Sequence, residues 1–438
     1  MRNRIACSLF TAGFVLAVAG GAIAAGFNIY EAGARATALG CAFTATADDG
    51  SALFYNAAGL SFLSGQSIDL NVMPIRPDFK FAEATDTAGN PATGEAESKT
   101  FLVPGAYYTN NNGGKLAFGV GTYAPFGLGV TWADPDNWVG RQASYDVIIE
   151  TIYTTPAVSY MVADGLALAV GLDVAFQKIE LNRMVLDPTT GGNAIDTKIE
   201  GSSSIHAAPS FGLMYRPDDK LSLGAMYHMA QTMTYDDGDA TLTNIGAAGS
   251  PSHQFASTLL QALGGTSEQL TSKIKSELSL PWILSLGASY WLTPDLRVEG
   301  NYVYYGWSEF QELALDAENN ALDQTLHFGY EDSWQVRFGA EYVLNEKVDL
   351  MVGYVYDTTP QPLEAVSPIL PDSDRNDYSL GLRYRTGPWD LVGSYMVVVG
   401  TERTNIENGQ PVRNSESYPV GSYKSLANIF GLGVAYHF

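Results

Sequence analysis

The sequence predicts an all-β protein: a transmembrane antiparallel β-barrel of about 14 strands with a small N-terminal helical hatch in the lumen. Three observations predict it: 12% aromatic residues together with 45 glycines, a charged fraction of only 16%, and a recurring strand motif that ends in tyrosine. Soluble proteins carry about 25% charged residues. No run of 18 apolar residues follows the N-terminus, which argues against membrane helices, and the 46% hydrophobic content argues against disorder.

The first 24 residues have the pattern of a secretory signal peptide. Arg2 and Arg4 form a basic start, residues 9–18 are apolar, and residues 22–24 have the small side chains of a cleavage site. We therefore expect domain 1–24 to be removed and the mature chain to start at Ala25. A membrane anchor is the alternative, but the apolar stretch is short for one.

Charge and residue spacing disfavour catalysis, cofactors and nucleic acid. The chain has 47 Asp+Glu against 24 Lys+Arg, and nucleic-acid binding needs clustered basic residues. The five histidines lack metal-ligand spacing, Cys41 is the single cysteine beyond the signal peptide, and no nucleophile or phosphate-loop motif has its proper context. We therefore expect no enzyme, no cofactor and no metal site. Asp236, Asp237 and Asp239 form either a solvated loop or a weak cation site bridging lipopolysaccharide.

Residues 25–65 do not alternate like a strand. The run Asp49-Gly-Ser51 can cap a helix over 52–58, with Gly59 as its stop. The segment precedes the first strand and carries several large apolar residues in a short span. It is expected to fill the lumen as a hatch, and a periplasmic tail is the alternative.

A Gly-x-x-Tyr motif organises the barrel region, residues 66–438. Each tyrosine ends a stretch of period two, in which the apolar side faces lipid and the polar side a lumen. The tyrosine then lies at the lipid–water interface, and the glycine faces inward and leaves room in the lumen. The copies are 105–108, 212–215, 287–290, 339–342, 381–384 and 433–436, with alanine replacing glycine in 157–160.

Short turns follow these tyrosines, and long polar stretches follow the returning strands, as in outer-membrane barrels. A soluble β-sandwich would not explain the boundary tyrosines. The apolar face of the last strand, ending in Phe438, resembles the closing strand of bacterial outer-membrane proteins and suggests a Gram-negative-type outer membrane. The predicted strands are 66–82, 97–110, 114–124, 145–162, 165–182, 203–216, 219–235, 276–292, 295–311, 327–344, 347–357, 376–386, 388–402 and 423–438.

Several local motifs, spread over 25–438, resemble the FadL-type outer-membrane transporters of long-chain fatty acids and other hydrophobic compounds. They are Gly26-Phe27, residues 47–59, Pro125-Phe-Gly-Leu128, Trp138-Val-Gly-Arg141, Gly306-Trp-Ser308 with Phe310, and residues 370–375. The resemblance implies a fourteen-stranded barrel, a hatch inside it, a ligand groove between outer loops, a deeper pocket, and an inward strand kink that opens the wall sideways.

The resemblance also marks hatch residues, which are Phe27, Asn56, Ala57 and Ala58. The family usually has Asn-Pro-Ala where this chain has 56–58, so its hatch backbone is less constrained. The wall opening is expected at Gly119, Gly121 and Pro125, since glycine and proline weaken a strand ladder. Glycines chosen for lumen space are the alternative.

The loop 236–276 has an apolar stripe that predicts a pair of short amphipathic helices. The stripe is either a ligand groove or a packing face against the barrel rim. A fatty-acid carboxylate would need a cation, and Arg141, Lys178 and Arg183 are the candidates, although each is also explicable as an ordinary loop or lumen charge. The groove residues are Phe255, Leu259, Leu263, Leu270 and Ile274.

The sequence thus predicts a passive outer-membrane uptake channel for hydrophobic molecules, above all long-chain fatty acids. Capture in the outer groove, transfer to a lumen pocket and lateral exit through the wall are the expected steps. Uptake of monoaromatic hydrocarbons by the same fold is the alternative, and a structural or adhesin barrel is the alternative of another class. The expected partners are the hydrophobic ligand, outer-membrane lipid and lipopolysaccharide, with the protein a monomer.

Overall fold

The computed structural model describes residues 26–85, 91–408, 410–412 and 419–438. The signal peptide predicted at 1–24 lies outside the described residues. No helix among the described residues combines the length and the apolar character needed to span a membrane.

Fourteen antiparallel strands form a closed barrel, which confirms the predicted fold class. Each strand pairs with the next along the chain, and the last pairs with the first, from Ser67 opposite His437 to Ala82 opposite Ser422. The strands are β1 Gly65–Thr85, β2 Phe101–Asn111, β3 Leu116–Tyr123, β4 Asp146–Ala163, β5 Leu166–Leu186, β6 His206–Tyr215, β7 Leu221–His228, β8 Ile283–Thr293, β9 Leu296–Tyr305, β10 Ser333–Asn345, β11 Val348–Asp357, β12 Arg375–Thr386, β13 Trp389–Gly400 and β14 Ser422–His437.

The two faces of the wall follow the predicted alternation. Leu70, Leu168 and Phe338 point outward and are about half exposed, as lipid-facing side chains must be. Tyr290 and Tyr342, from the repeated motif, also point outward near the short turns. The lumen side carries polar, small and large apolar side chains, such as Asn301, Tyr107 and Met351, which are buried inside the barrel.

Two predicted strands, 219–235 and 276–292, are interrupted. β7 ends at His228 and the chain resumes as Gln231–Asn244, while Gln269–Leu280 ends just before β8. The apolar–polar alternation of the sequence continues across residues 229–230, so it hides the first break. Pro281 marks the second break, because proline has no amide hydrogen to donate to a neighbouring strand.

Beyond these breaks the chain builds an outer sheet at the end opposite the short turns. The upper half of β5 pairs with Asn193–Ser202, and the sheet continues through Gln231–Asn244, Gln269–Leu280, Glu312–Ala317 and Gln324–His327. Along Gln269–Leu280 one face is buried and the other is exposed and polar.

The outer loop contains one helix, α3 Pro251–Ala262, so the first helix of the predicted pair is confirmed and the second is wrong. Leu270 and Ile274 lie instead on Gln269–Leu280, where they are buried at even positions. Their spacing of four residues satisfies both a helix and a strand, and the buried Ser272 between them disguised the alternation.

The N-terminal segment, residues 26–64, lies inside the barrel. It forms α1 Ala34–Ala38, α2 Ala52–Tyr55 and a 3-10 helix Ala57–Phe62. The predicted helix 52–58 is therefore wrong in its second half: Asn56 is extended, and its side chain accepts a hydrogen bond from the Ala58 amide. Gly59 lies within the 3-10 helix and does not stop it.

Minor elements complete the described chain. They are the 3-10 helices Trp307–Glu309, Asn320–Leu322 and Leu363–Ala365, and the strands Pro91–Glu95, Gly127–Thr131, Arg403–Thr404, Ile406–Glu407 and Gln410–Pro411.

Candidate functional site

The repeated glycines of the wall are where the N-terminal segment approaches it. A Cβ added at any of the six would lie between 2.4 and 3.1 Å from an atom of the segment. At Gly381, for example, it would meet the Ala38 methyl at 2.4 Å, and at Gly339 the Leu39 carbonyl oxygen at 2.6 Å. The motif therefore leaves lumen space for the chain's own N-terminal segment. The six are Gly105, Gly212, Gly287, Gly339, Gly381 and Gly433.

Polar lumen side chains satisfy the backbone of the segment. The Asn301 Oδ1 accepts hydrogen bonds from the amides of Phe43 and Thr44, at 2.8 and 3.2 Å. Residues 43–44 lie between the two α-helices of the segment, and these bonds satisfy their irregular backbone so that it can be buried.

The residues of the 56–58 turn are fully buried in these contacts. Asn56 Nδ2 donates to the carbonyls of Thr44 and Leu213, both at 2.9 Å, and so ties the turn to β6. Ser159 Oγ donates to the Ala58 carbonyl at 3.2 Å, and Ala57 is enclosed beside it.

An ion network anchors the segment at the short-turn end. Arg35 pairs with Asp48 on the segment and with Glu341 on β10, and Arg297 of β9 contacts both of these carboxylates. Burial raises the pKa of Asp48, but the charges of Arg35 and Arg297 outweigh it and bring that pKa well below its usual value. Breaking such a buried pair by removing one partner costs about 3–5 kcal/mol.

The wall has a window where β3 stops. β3 pairs with β2 only as far as Ala106 opposite Thr122, and beyond it residues 101–105 of β2 pair only with β1 among the described residues. The chain bends inward through 124–126 and then runs as Gly127–Thr131 along β4. The predicted interruption at Gly119 and Gly121 is wrong, because both lie in an unbroken ladder with β4.

Residues 27–29 of the N-terminal segment cover the window from inside. Ile29 N donates to the Pro125 carbonyl and Gly127 N donates to the Phe27 carbonyl, each at 2.7 Å. Asn28 lies opposite Phe126 in an isolated antiparallel bridge. The segment thus supplies backbone partners where a neighbouring strand is missing.

An aromatic cluster joins this cover to the outer loops. The Phe27 ring contacts the rings of Trp307 and Phe310, with centroids 4.9 and 5.4 Å apart, and Trp307 also contacts Phe126 at 6.1 Å. Gly26 is required here: its φ is +64°, and a Cβ would lie 2.7 Å from the Trp307 ring.

A narrow apolar cleft lies beside the window, where β3, β7 and β8 are all interrupted. Its volume is about 10 Å³, room for no more than one water molecule, so its own side chains close it. A ligand can enter only if some of them move. The lining residues are Phe54, Tyr123, Pro125, Phe126, Tyr153, His228, Met229, Pro281 and Ile283.

His228 connects the N-terminal segment to the wall at this cleft. Its Nε2 lies 3.0 Å from the Phe54 carbonyl oxygen of α2, and its Nδ1 lies 2.7 Å from Asp173 Oδ2 of β5. A carbonyl oxygen only accepts hydrogen bonds, so Nε2 carries a proton. Asp173 also accepts a bond from the Thr155 hydroxyl at 2.7 Å, through its other oxygen. The Asp173 carboxyl at Nδ1 is the partner that stabilises a positive charge on the His228 ring.

The family model described as "Outer membrane protein transport protein (OMPP1/FadL/TodX)" matches residues 15–438. The chain belongs to this family. It is 27% identical to outer membrane protein P1 of Haemophilus influenzae and 23% identical to a long-chain fatty acid transport protein of Escherichia coli. The alignments cover 97% and 94% of both chains, respectively.

Solved structures show the same fold. The crystal structure of a Pseudomonas aeruginosa FadL homologue matches with a TM-score of 0.77 at 22% identity, covering 96% of this chain and all of that one. The Pseudomonas putida toluene transporter TodX matches with a TM-score of 0.69 at 16% identity, covering 93% and 98%. This FadL/TodX-family protein is therefore an outer-membrane transport barrel and not an enzyme.

The cations that the sequence singled out lie away from the cleft of this FadL/TodX-family barrel. Arg141 donates from Nε to Asn193 Oδ1 at 2.8 Å, and Arg183 donates to Gln324, both at the outer sheet. Lys178 is exposed on the opposite face of β5 from Arg183. The structure does not bring the three together.

The predicted groove residues form a packing face. Phe255, Leu259 and Leu263 are half-buried against an apolar cluster that includes Ala194 and Leu242 of the outer sheet. Leu270 belongs to the same cluster, whereas Ile274 belongs to the main core. This arrangement favours the packing alternative over an open groove.

Sequence reasoning missed His228 entirely. Its partners Asp173 and Phe54 are 55 and 174 residues away, so no local motif exposes the contact. The one available signal was a lone histidine within an alternating stretch.

Proposed function

We propose that this protein takes up hydrophobic molecules across the outer membrane, above all long-chain fatty acids. The ligand is captured at the outer loops, enters the cleft below the aromatic cluster, and leaves sideways through the wall. The window carries this proposal: the ladder between β2 and Gly127–Thr131 is missing there, and residues 27–29 cover it. Lateral exit keeps the ligand out of periplasmic water, which costs about 0.8 kcal/mol per exposed CH₂.

The choice of fatty acid is supported by the relatives and by the cation at the cleft. The Escherichia coli relative is named a long-chain fatty acid transport protein. In this protein the apolar lining of the cleft suits an alkyl chain, and His228 offers a positive charge for a carboxylate.

Monoaromatic hydrocarbons are the second candidate. The cleft is lined by Phe54, Tyr123, Phe126 and Tyr153, whose rings suit an aromatic ligand. A structural or adhesin role has no use for a covered window.

A staple across the window tests the exit route. Asn28 and Phe126 are opposed bridge partners, a geometry that suits a disulfide, so we introduce N28C and F126C in a C41A background. Uptake of radiolabelled oleate by cells should fall at least several-fold in the oxidised variant, because residues 27–29 can no longer leave the window. Reduction should restore it.

The matched control is the pair Y378C and V397C, which joins two strands already paired in the wall. This staple should leave uptake unchanged. Full oleate uptake through the oxidised window staple would refute lateral exit. Uptake of toluene but not oleate by the unmodified protein would favour the second candidate.

A further inference from the structure

The cleft has one basic side chain among the described residues that line it, and that side chain holds the N-terminal segment in place. His228 is 7% exposed and sits between Phe54 of α2 and Asp173 of β5. On the Asp173 side the bond joins two groups of the barrel wall. On the Phe54 side it joins the wall to the segment, so of the two His228 bonds only this second one must break when α2 moves.

We propose that His228 is a latch on the N-terminal segment. A ligand carboxylate opens this latch by accepting the hydrogen bond from Nε2–H in place of the Phe54 carbonyl. The inference rests on the proposed function and adds to it the event that releases the segment.

The exchange favours the carboxylate because of its charge. The imidazolium already makes a charge-assisted hydrogen bond to the neutral Phe54 carbonyl, and a carboxylate in its place adds the attraction between opposite charges. Asp173 remains in place and keeps the imidazolium protonated through Nδ1, with Thr155 holding the other Asp173 oxygen at 2.7 Å. A neutral ester or hydrocarbon offers no such gain.

Phe54 links the exchange of hydrogen-bond partners to the opening of the cleft. Its ring lies 5.2 Å from the Tyr123 ring and 5.7 Å from the His228 ring, so it closes the cleft from the segment side. The same residue thus supplies the carbonyl that His228 holds and the ring that blocks entry. A ligand that displaces the carbonyl removes the block.

Binding of oleate and methyl oleate to the purified protein tests the latch. The unmodified protein should bind the acid about tenfold more tightly than its methyl ester, because only the acid brings a negative charge to His228. His228→Phe should lower this ratio to about one, and its ligand-free ionic current in lipid bilayers should rise because α2 loses its tie. His228→Gln can still donate to Phe54 and should keep the low current, but it should also lose the preference for the acid.

The control is His327→Phe, since His327 is 66% exposed on the outer sheet. This substitution should leave both the acid-to-ester affinity ratio and the ionic current unchanged. Heat-modifiable gel mobility shows that each variant is folded. A tenfold preference for oleate that survives in a folded His228→Phe variant overturns the latch while leaving the proposed function standing. Absence of oleate binding to the unmodified protein overturns both.

Discussion

Glu31 is a buried carboxyl whose surroundings keep it neutral. It is 1% exposed, and neither oxygen accepts a hydrogen bond from another residue in the described part of the chain. Burial, and then the negative charge of Asp377, raises the pKa of Glu31 from 4.5 to about 8, and Arg375 opposes this less strongly. At neutral pH Glu31 is therefore protonated while the N-terminal segment is docked in the barrel.

This protonation makes docking of the N-terminal segment depend on pH. Between pH 4.5 and 8 the docked carboxyl keeps a proton that a released carboxyl loses, so docking weakens as pH rises, by up to about 1.4 kcal/mol per unit. Above about pH 8 both forms are ionised and the dependence ends. We expect ionic current through bilayer-inserted protein to rise from pH 5 to pH 8, and Glu31→Gln to flatten that rise.

The exposed Glu97 gives the matched control, since Glu97→Gln should leave the pH response as it is. An equal rise of current in the Glu31→Gln variant would assign the pH response to other groups, such as the His228 imidazolium.

For single residues, the sequence predicted which side chains meet the barrel wall better than it predicted which side chains bind a ligand. Phe27 and Asn56 were marked by motif resemblance, and both lie where the segment meets the wall. Arg141 and Arg183 were proposed as carboxylate partners from their charge, which does not tell how far they lie from a buried cleft, and they lie at the outer sheet. His228 needed three elements to meet, and that information is not local.

The third strand shows how one element serves two purposes. Its glycines do not break the ladder; they make room for Leu53 and for the Tyr107 ring. The break comes after Tyr123, where Pro125 has no amide hydrogen to donate. The strand therefore supports the N-terminal segment in its lower part and opens the wall in its upper part.

Gly121→Val should accordingly loosen the segment. A Cβ there would lie 2.6 Å from the Tyr107 ring and 3.2 Å from Leu53 Cβ. The Tyr107 hydroxyl donates to the Ala32 carbonyl, so displacing the ring disturbs this tie as well. Overpacking of this kind costs about 1–3 kcal/mol. We expect a lower temperature of the heat-modifiability transition and a larger current.

Gly393→Ala is the comparison variant, because no atom lies within 4 Å of the Cβ position at Gly393. It should match the unmodified protein in both measurements. A Gly121→Val protein with unchanged current and transition temperature would mean that Tyr107 can move aside without loosening the segment.

Strand positions were largely predictable, because a wall between lipid and a polar lumen imposes a strict period of two. The predicted 347–357 differs from β11 by one residue at one end. The outer sheet was not predictable in the same way. Its strands are also half-buried and alternating, as in Gln269–Leu280, so the pattern does not show that they leave the barrel.

For the whole molecule, the barrel and the N-terminal segment should be separable. The fourteen strands close on themselves without the segment, so a protein lacking residues 26–64 should still insert as a barrel. Its lumen would be emptied of a buried core that includes Phe43 and Leu53. We expect ionic current to increase at least several-fold in planar bilayers, while gel mobility still changes on boiling.

The unmodified protein is the reference, with the same boiled and unboiled samples. A truncated protein that folds but passes no more current would mean that the outer loops, and not the segment, close the channel. Identical mobility before and after boiling would show instead that the segment is needed to build the barrel.

The pairing of β14 with β1 has a consequence for synthesis of the chain. The wall's last gap is filled by Ser422–His437, whose backbone is bonded to β13 on one side and to β1 on the other. Until the ribosome has made these sixteen residues, no order of strand pairing can give a continuous cylinder. A late stop codon that removed less than a twentieth of the chain would leave two strands with unpaired amides and carbonyls facing hydrocarbon, where each costs several kcal/mol. Loss of the final strand would thus be as damaging as loss of any other.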